Sequence, residues 1–134
     1  MLDTTCHCGS VDVSIQHKPD FINDCNCSLC SKAGGLWGYY NLTEVKISGP
    51  TDSYSRIDYP NPAVEIHFCP LCGSTTHWVL TEDYKLRSGV SDRMGVNMRL
   101  FVEGDLAGVE VKFPNGKAWD GQGDYGYRKI PIIL

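Results

Sequence analysis

The chain has 134 residues, 42% of them hydrophobic, with 12 basic and 16 acidic side chains and a formal net charge of -4, a length that fits one domain, residues 1–134, with a real but not generous core. The Lys and Arg residues are scattered rather than clustered, which argues against nucleic acid as a partner, because gripping a phosphate backbone takes several cations together. No stretch reaches the roughly 20 apolar residues of a membrane helix, and the opening MLDTTCHCGS has neither a basic head nor an apolar run, so the expectation is a soluble, cytoplasmic protein with no secretory signal and no membrane partner.

Short alternating segments dominate the chain and helical periodicity is almost absent, which favours strands. Residues 10–15 alternate Val11, Val13 and Ile15. Further strands are expected at 36–40, 45–47 and 54–57. Residues 64–68 run into a cysteine pair and 75–80 leave it, as the two arms of a hairpin do. Residues 95–101 place Val96, Met98 and Leu100 on one side. Turn signals separate these pieces at Ser48-Gly49-Pro50, at Tyr59-Pro60-Asn61-Pro62 and at Pro114-Asn115-Gly116. Short helical turns are expected after Cys30 and across 103–108, and the Gly- and Tyr-rich residues 119–134 carry no assignable pattern. The sum is a mainly β single domain.

The seven cysteines fall into three groups. In a reducing compartment such clusters are metal ligands rather than disulfides, and an odd number cannot all pair. In Cys6-His7-Cys8-Gly9 an extended backbone would turn Cys6 and Cys8 to one face, with His7 on the other. In Cys69-Pro70-Leu71-Cys72-Gly73 a tight turn brings two thiolates together, and Gly73 permits the backbone conformation after them. These two pairs make one closed four-thiolate zinc site, which is structural in character. Cys25, Cys27 and Cys30 then hold a second zinc with its fourth position open, the arrangement of a reactive metal. Spacing alone also admits one ribbon-like site made by Cys27, Cys30, Cys69 and Cys72. An iron–sulfur cluster ranks below zinc because the spacings differ from the usual ferredoxin runs. His7, His17, His67 and His77 read as surface or supporting residues. His67, two positions before Cys69, is the best candidate to support a metal ligand.

The segments CHCGSV at 6–11, CNCSLCSKAGG at 25–35, HFCPLCGST at 67–75, and VNMRLF at 96–101 with Asp120-Gly121 downstream resemble the family of glutathione-dependent formaldehyde-activating enzymes, which includes the centromere protein V domain. The resemblance implies an Mss4-like zinc-binding β fold. It implies a structural zinc on Cys6, Cys8, Cys69 and Cys72, and a catalytic zinc on Cys25, Cys27 and Cys30 where a thiol such as glutathione binds. The activity it implies is that of a carbon–sulfur lyase making S-hydroxymethylglutathione from formaldehyde and glutathione. Zinc favours the thiolate form of a bound thiol, and that thiolate would attack formaldehyde held beside it. No general acid stands out. Lys32 reads as a solvated lysine with a possible screening role, and Trp37, Tyr39 and Tyr40 as core aromatics that could also wall a pocket. The alternative is a zinc-stabilised binding or thiol-carrier module without catalysis.

Overall fold

The computed structural model describes residues 1–128. In chain order its strands and helices are β1 (Leu2–Thr5), β2 (Asp12–Ile15), β3 (Ile22–Asn23), α1 (Ser28–Ala33), β4 (Trp37–Asn41), β5 (Val45–Ser48), β6 (Asp52–Ser55), β7 (Val64–Phe68), β8 (Thr75–Leu80), α2 (Glu82–Ser88), β9 (Arg93–Asn97) and β10 (Val111–Lys112). The mainly β expectation holds. Among the described residues the strands form a three-stranded sheet, β1-β2-β5, and a seven-stranded sheet ordered β10-β3-β4-β9-β8-β7-β6. Pairing is antiparallel except between β10 and β3.

The core lies between the sheets. From β2 and the residue just before it come Val11, Val13 and Ile15, all fully buried, with Ile47 and Val45 beside them. From the large sheet come Tyr40, Met94 and Val96. Alternation along a strand sends neighbours to opposite faces. Trp37 and Tyr39 on β4 and Trp78 on β8 therefore face away from that core, and all three line a cavity on the other side of the sheet. One sheet thus serves two purposes, burying its first face for stability and presenting its second as a floor for a site.

Several boundaries differ from the sequence expectation. The strand expected from residue 10 starts at Asp12, because residues 6–10 make a turn. The strand expected through 101 stops at Asn97, and Met98–Leu100 is a 3-10 turn. Its cap is Asn97, whose side chain accepts from the Arg99 amide and whose amide group donates to the Thr75 carbonyl. The strand placed at 54–57 lies at Asp52–Ser55. The helical turn expected after Cys30 begins earlier, at Ser28, with Cys27 as its N-cap. Glu103–Leu106 is a 3-10 turn, as expected. Neither β1 nor α2 was signalled by apolar spacing, since α2 buries no residue. It is held by local chemistry instead. Thr81 caps its first turn by accepting from the Tyr84 amide, Glu82 and Asp83 sit at the positive end, and Gly89 closes it with φ 72. Of the unassigned tail, residues 129–134 lie outside the described residues.

Candidate metal centres

Two knuckles build the first centre. Cys6 to Ser10 is a turn rather than the extended segment the spacing suggested. The Gly9 amide donates to the Cys6 carbonyl at 3.0 Å, and the Cys6 amide to the Val11 carbonyl at 3.0 Å. Cys69 to Ser74 repeats the pattern, with Gly73 donating to the Cys69 carbonyl and Cys69 to the Ser74 carbonyl, both at 2.9 Å. Gly9 and Gly73 have φ of 82 and 77, a left-handed conformation that disfavours any side chain. The four Sγ atoms of Cys6, Cys8, Cys69 and Cys72 lie within 4.8 Å of one another. The Cys6–Cys8 and Cys8–Cys69 separations are both 3.7 Å. A tetrahedron with metal–sulfur bonds of about 2.3 Å has sulfur–sulfur edges of about 3.8 Å, so the donor set fits such an ion. Donors converge on the sulfurs, with the Val11 amide 3.3 Å from Cys6 and the Ser10 hydroxyl 3.1 Å from both Cys8 and Cys69. The Ser74 hydroxyl lies 3.2 Å from Cys72 and, with the other donors there, holds that thiol down to about 5.

The second centre stands on the opposite face of the large sheet. Cys25, Cys27 and Cys30 bring their sulfurs within 4.8 Å of one another. Cys27 caps α1 by accepting from the Cys30 amide at 3.3 Å, and Cys25 accepts from the Cys27 amide at 3.4 Å. The three thiols compete for charge. Contact with Cys25 and then Cys30 holds Cys27 down to about 2, and Arg56 contributes. The same contacts raise Cys25 and Cys30. Three thiols so close cannot all ionise unaided, and a bound dication relieves that repulsion. The chain thus brings its seven cysteines together as four and three, and the ribbon-like pairing of Cys27 and Cys30 with Cys69 and Cys72 does not occur.

Above the three sulfurs opens a cavity of about 280 Å³. Trp37, Tyr39 and Trp78 form its wall. Trp78 lies across Gly95, where any side chain would occupy the indole's place. Tyr59, Trp119 and Tyr125 extend this aromatic lining toward the solvent side. The roof is anchored through Asn26, whose amide donates to Asn115 Oδ1 and whose carbonyl oxygen accepts from the Lys117 amide, both at 2.9 Å. At the polar end Asn23, 1% exposed, donates to the Tyr39 hydroxyl at 2.8 Å and the Tyr125 hydroxyl at 3.2 Å. Arg56 stands at the edge, held by Asp58 at 2.8 Å on two nitrogens and stacked 3.7 Å over Tyr59. It also lines a wider cleft of about 540 Å³ that shares Leu29, Arg56 and Ile66 with the first and carries Lys32 at its margin.

Other candidates fall elsewhere. Tyr40 points into the core, with its ring 5.5 Å from His17, so only Trp37 and Tyr39 wall the cavity. His67 reaches Thr51 at 3.0 Å and stacks on His77 at 4.5 Å; among the described residues it donates to no cysteine. His17 pairs with Glu44 at 3.0 Å, and His7 is exposed. Arg56, Trp78, Trp119 and Tyr125 were missed, because no local spacing marks residues that meet only through strand pairing or a long loop.

Residues 1–102 match the model of the glutathione-dependent formaldehyde-activating enzymes. The chain belongs to that family. Over 92 residues it is 32% identical to a protein of Halomonas elongata that carries the same enzyme name as a provisional assignment. The alignment takes in 59% of this chain and 55% of the relative, so the chain spans about half the length of the curated relative it matches. A crystal structure of a Rhodobacter sphaeroides protein shares the fold, with a TM-score of 0.60, 23% identity, and coverage of 82% of this chain and 99% of that one. No helix among the described residues is long and apolar enough to cross a membrane.

Proposed function

We propose that this protein is a zinc-dependent carbon–sulfur lyase that joins a small thiol, glutathione in the family's own chemistry, to formaldehyde or a related aldehyde. The observation that carries this reading is the three-cysteine centre at the floor of an aromatic cavity, with no fourth ligand from the described residues. Cys6, Cys8, Cys69 and Cys72 would hold a structural zinc, and Cys25, Cys27 and Cys30 the reactive one. Zinc bound there supplies an open position that favours the thiolate of an incoming thiol at neutral pH. The chain's own residues do the rest. Trp37, Tyr39 and Trp78 line the space above the sulfurs with apolar surface. Asn23 fixes Tyr39 so that its phenol oxygen accepts the amide hydrogen and its own O–H remains free to donate. Burial raises that phenol, which keeps it protonated as a donor.

The test is a count of zinc per chain followed by glutathione titration. Two zinc ions and a saturable thiol response that vanishes in Cys27→Ser support the reading; one ion, or two with no response, overturns it. Formaldehyde consumption above the uncatalysed rate separates an enzyme from a thiol carrier.

A further inference from the structure

The cavity above the three cysteines is too large and too apolar for a one-carbon aldehyde. Its volume is about 280 Å³, room for roughly nine groups the size of a water molecule, at ~30 Å³ each. Formaldehyde fills two of those places, and the CH₂–S head of a thiol two more. The space left over is bounded by Trp37, Trp78, Trp119 and Tyr59. Formaldehyde has no apolar surface with which to gain from such walls. The aromatic wall is built rather than incidental, since Gly95 is the gap that lets Trp78 lie over its strand. One polar corner is the pair of hydroxyls on Tyr39 and Tyr125, both addressed by the buried Asn23, and Arg56 lies at the cavity's edge, tied to Asp58. The roof residues Pro114, Gly116, Trp119 and Tyr125 lie beyond residue 102, where the family match ends.

We propose that the acceptor for this site is an aldehyde bearing a compact apolar group, an aryl or branched alkyl of about benzaldehyde's size, with its oxygen at the Tyr39–Tyr125 corner and its apolar group between Trp78 and Trp119. This rests on the thiol-handling reading of the three-cysteine centre. In the step, the thiolate sulfur bonds to the carbonyl carbon and the π pair of the C=O bond moves to oxygen. That oxygen takes a proton from the Tyr39 hydroxyl, which water restores. The product is a hemithioacetal, and nothing is oxidised or reduced.

The experiment uses the zinc-loaded full chain with two readouts. The first is the rate of hemithioacetal formation from glutathione with benzaldehyde and with formaldehyde, each above its uncatalysed rate, followed by exchange NMR. The expected kcat/KM favours benzaldehyde by about tenfold or more, the scale at which a pocket discriminates by a methylene or two, and Trp119→Ala lowers that ratio. The second is quenching of tryptophan fluorescence by benzyl alcohol, which carries the same ring and an oxygen but cannot react with a thiol. Saturable binding, weakened in Trp119→Ala, is expected. If neither aldehyde is turned over but benzyl alcohol binds and Trp119→Ala weakens it, the thiol reading fails and the ligand class stands. A kcat/KM that favours formaldehyde, or benzyl alcohol that does not saturate, overturns the inference whatever the thiol does.

Discussion

Gly116→Ala is a sharp test of how the roof and the three-cysteine centre depend on each other. A methyl group at this position would sit 2.5 Å from Cys25 Sγ and 3.2 Å from Cys27 Cβ. An ordinary carbon–sulfur contact is about 3.5 Å or longer, so about 1 Å of displacement must be found. One outcome is that Cys25 yields. Metal–sulfur distances tolerate only about 0.2 Å, so the ion loses a ligand or binds it badly, and affinity falls by about 100-fold. The other outcome is that the loop yields and gives up the two Asn26 hydrogen bonds to Asn115 and Lys117, at a cost of about 1 kcal/mol each. Either way the penalty is about 2–3 kcal/mol, and it falls on one centre only. If Cys25 yields, zinc release to a chromogenic chelator becomes biphasic, one equivalent leaving at much lower chelator concentration while the other behaves as in the unaltered protein; if the loop yields, the thermal midpoint falls instead. Two equivalents released as before together with an unchanged thermal midpoint would refute the reasoning, because the methyl group would then be accommodated at no cost to the thiol or to the loop.

Three further outcomes follow from the same geometry. Cys69→Ala should lower the thermal midpoint and loosen the contact between the sheets, whereas Cys27→Ser should remove thiol binding with little change in the midpoint; scanning calorimetry with metal analysis distinguishes them. Metal binding at the three-cysteine centre should release about two protons at neutral pH, because Cys25 and Cys30 are raised and must ionise while Cys27 is already held down to about 2; proton release in weakly buffered solution measures this, and zinc affinity should fall as pH falls. Burial, with the stacked His67 adding to it, pushes His77 down to about 4, against about 6.5 in an unfolded chain. The folded state therefore excludes the proton, its stability is full above about pH 6.5, and about 3 kcal/mol is lost by pH 4. Urea melts across that window should flatten for His77→Gln relative to the unaltered protein.

The cysteine clusters were legible because their geometry is local. A knuckle is two cysteines, a tight turn and a glycine within five residues, and Cys69 to Gly73 displays all of it in sequence. The division into four and three was less secure, since it depends on which knuckles meet, and that is decided by pairing between distant strands. The clear alternation of Val11, Val13 and Ile15 marked a buried strand face; β1, with alternate residues exposed, carries no such signature. The helix α2 escaped because it is held by caps and charges rather than by an apolar stripe, and Thr81 and Gly89 were the signal to read. The aromatic lining was hidden for a different reason. Trp78 meets Tyr39 only because β9 lies between their strands with Gly95 opposite both. Trp119 and Tyr125 arrive through a loop whose anchor, Asn26, sits inside the cysteine motif, where it looks like a spacer.

The order of the ligands along the chain has a consequence for synthesis. Five of the seven thiols, those of Cys6, Cys8, Cys25, Cys27 and Cys30, precede residue 31 and leave the ribosome before the knuckle at Cys69 and Cys72 exists. The four-thiolate centre can close only once residue 72 has emerged. The roof over the other three arrives with Tyr125, on the order of 3–10 s later at the usual elongation rate. For that interval the three-cysteine centre stands uncovered and open to whatever metal or thiol the surroundings offer. Any selection that the cavity imposes on what reaches these sulfurs therefore begins only after its roof residues have been added.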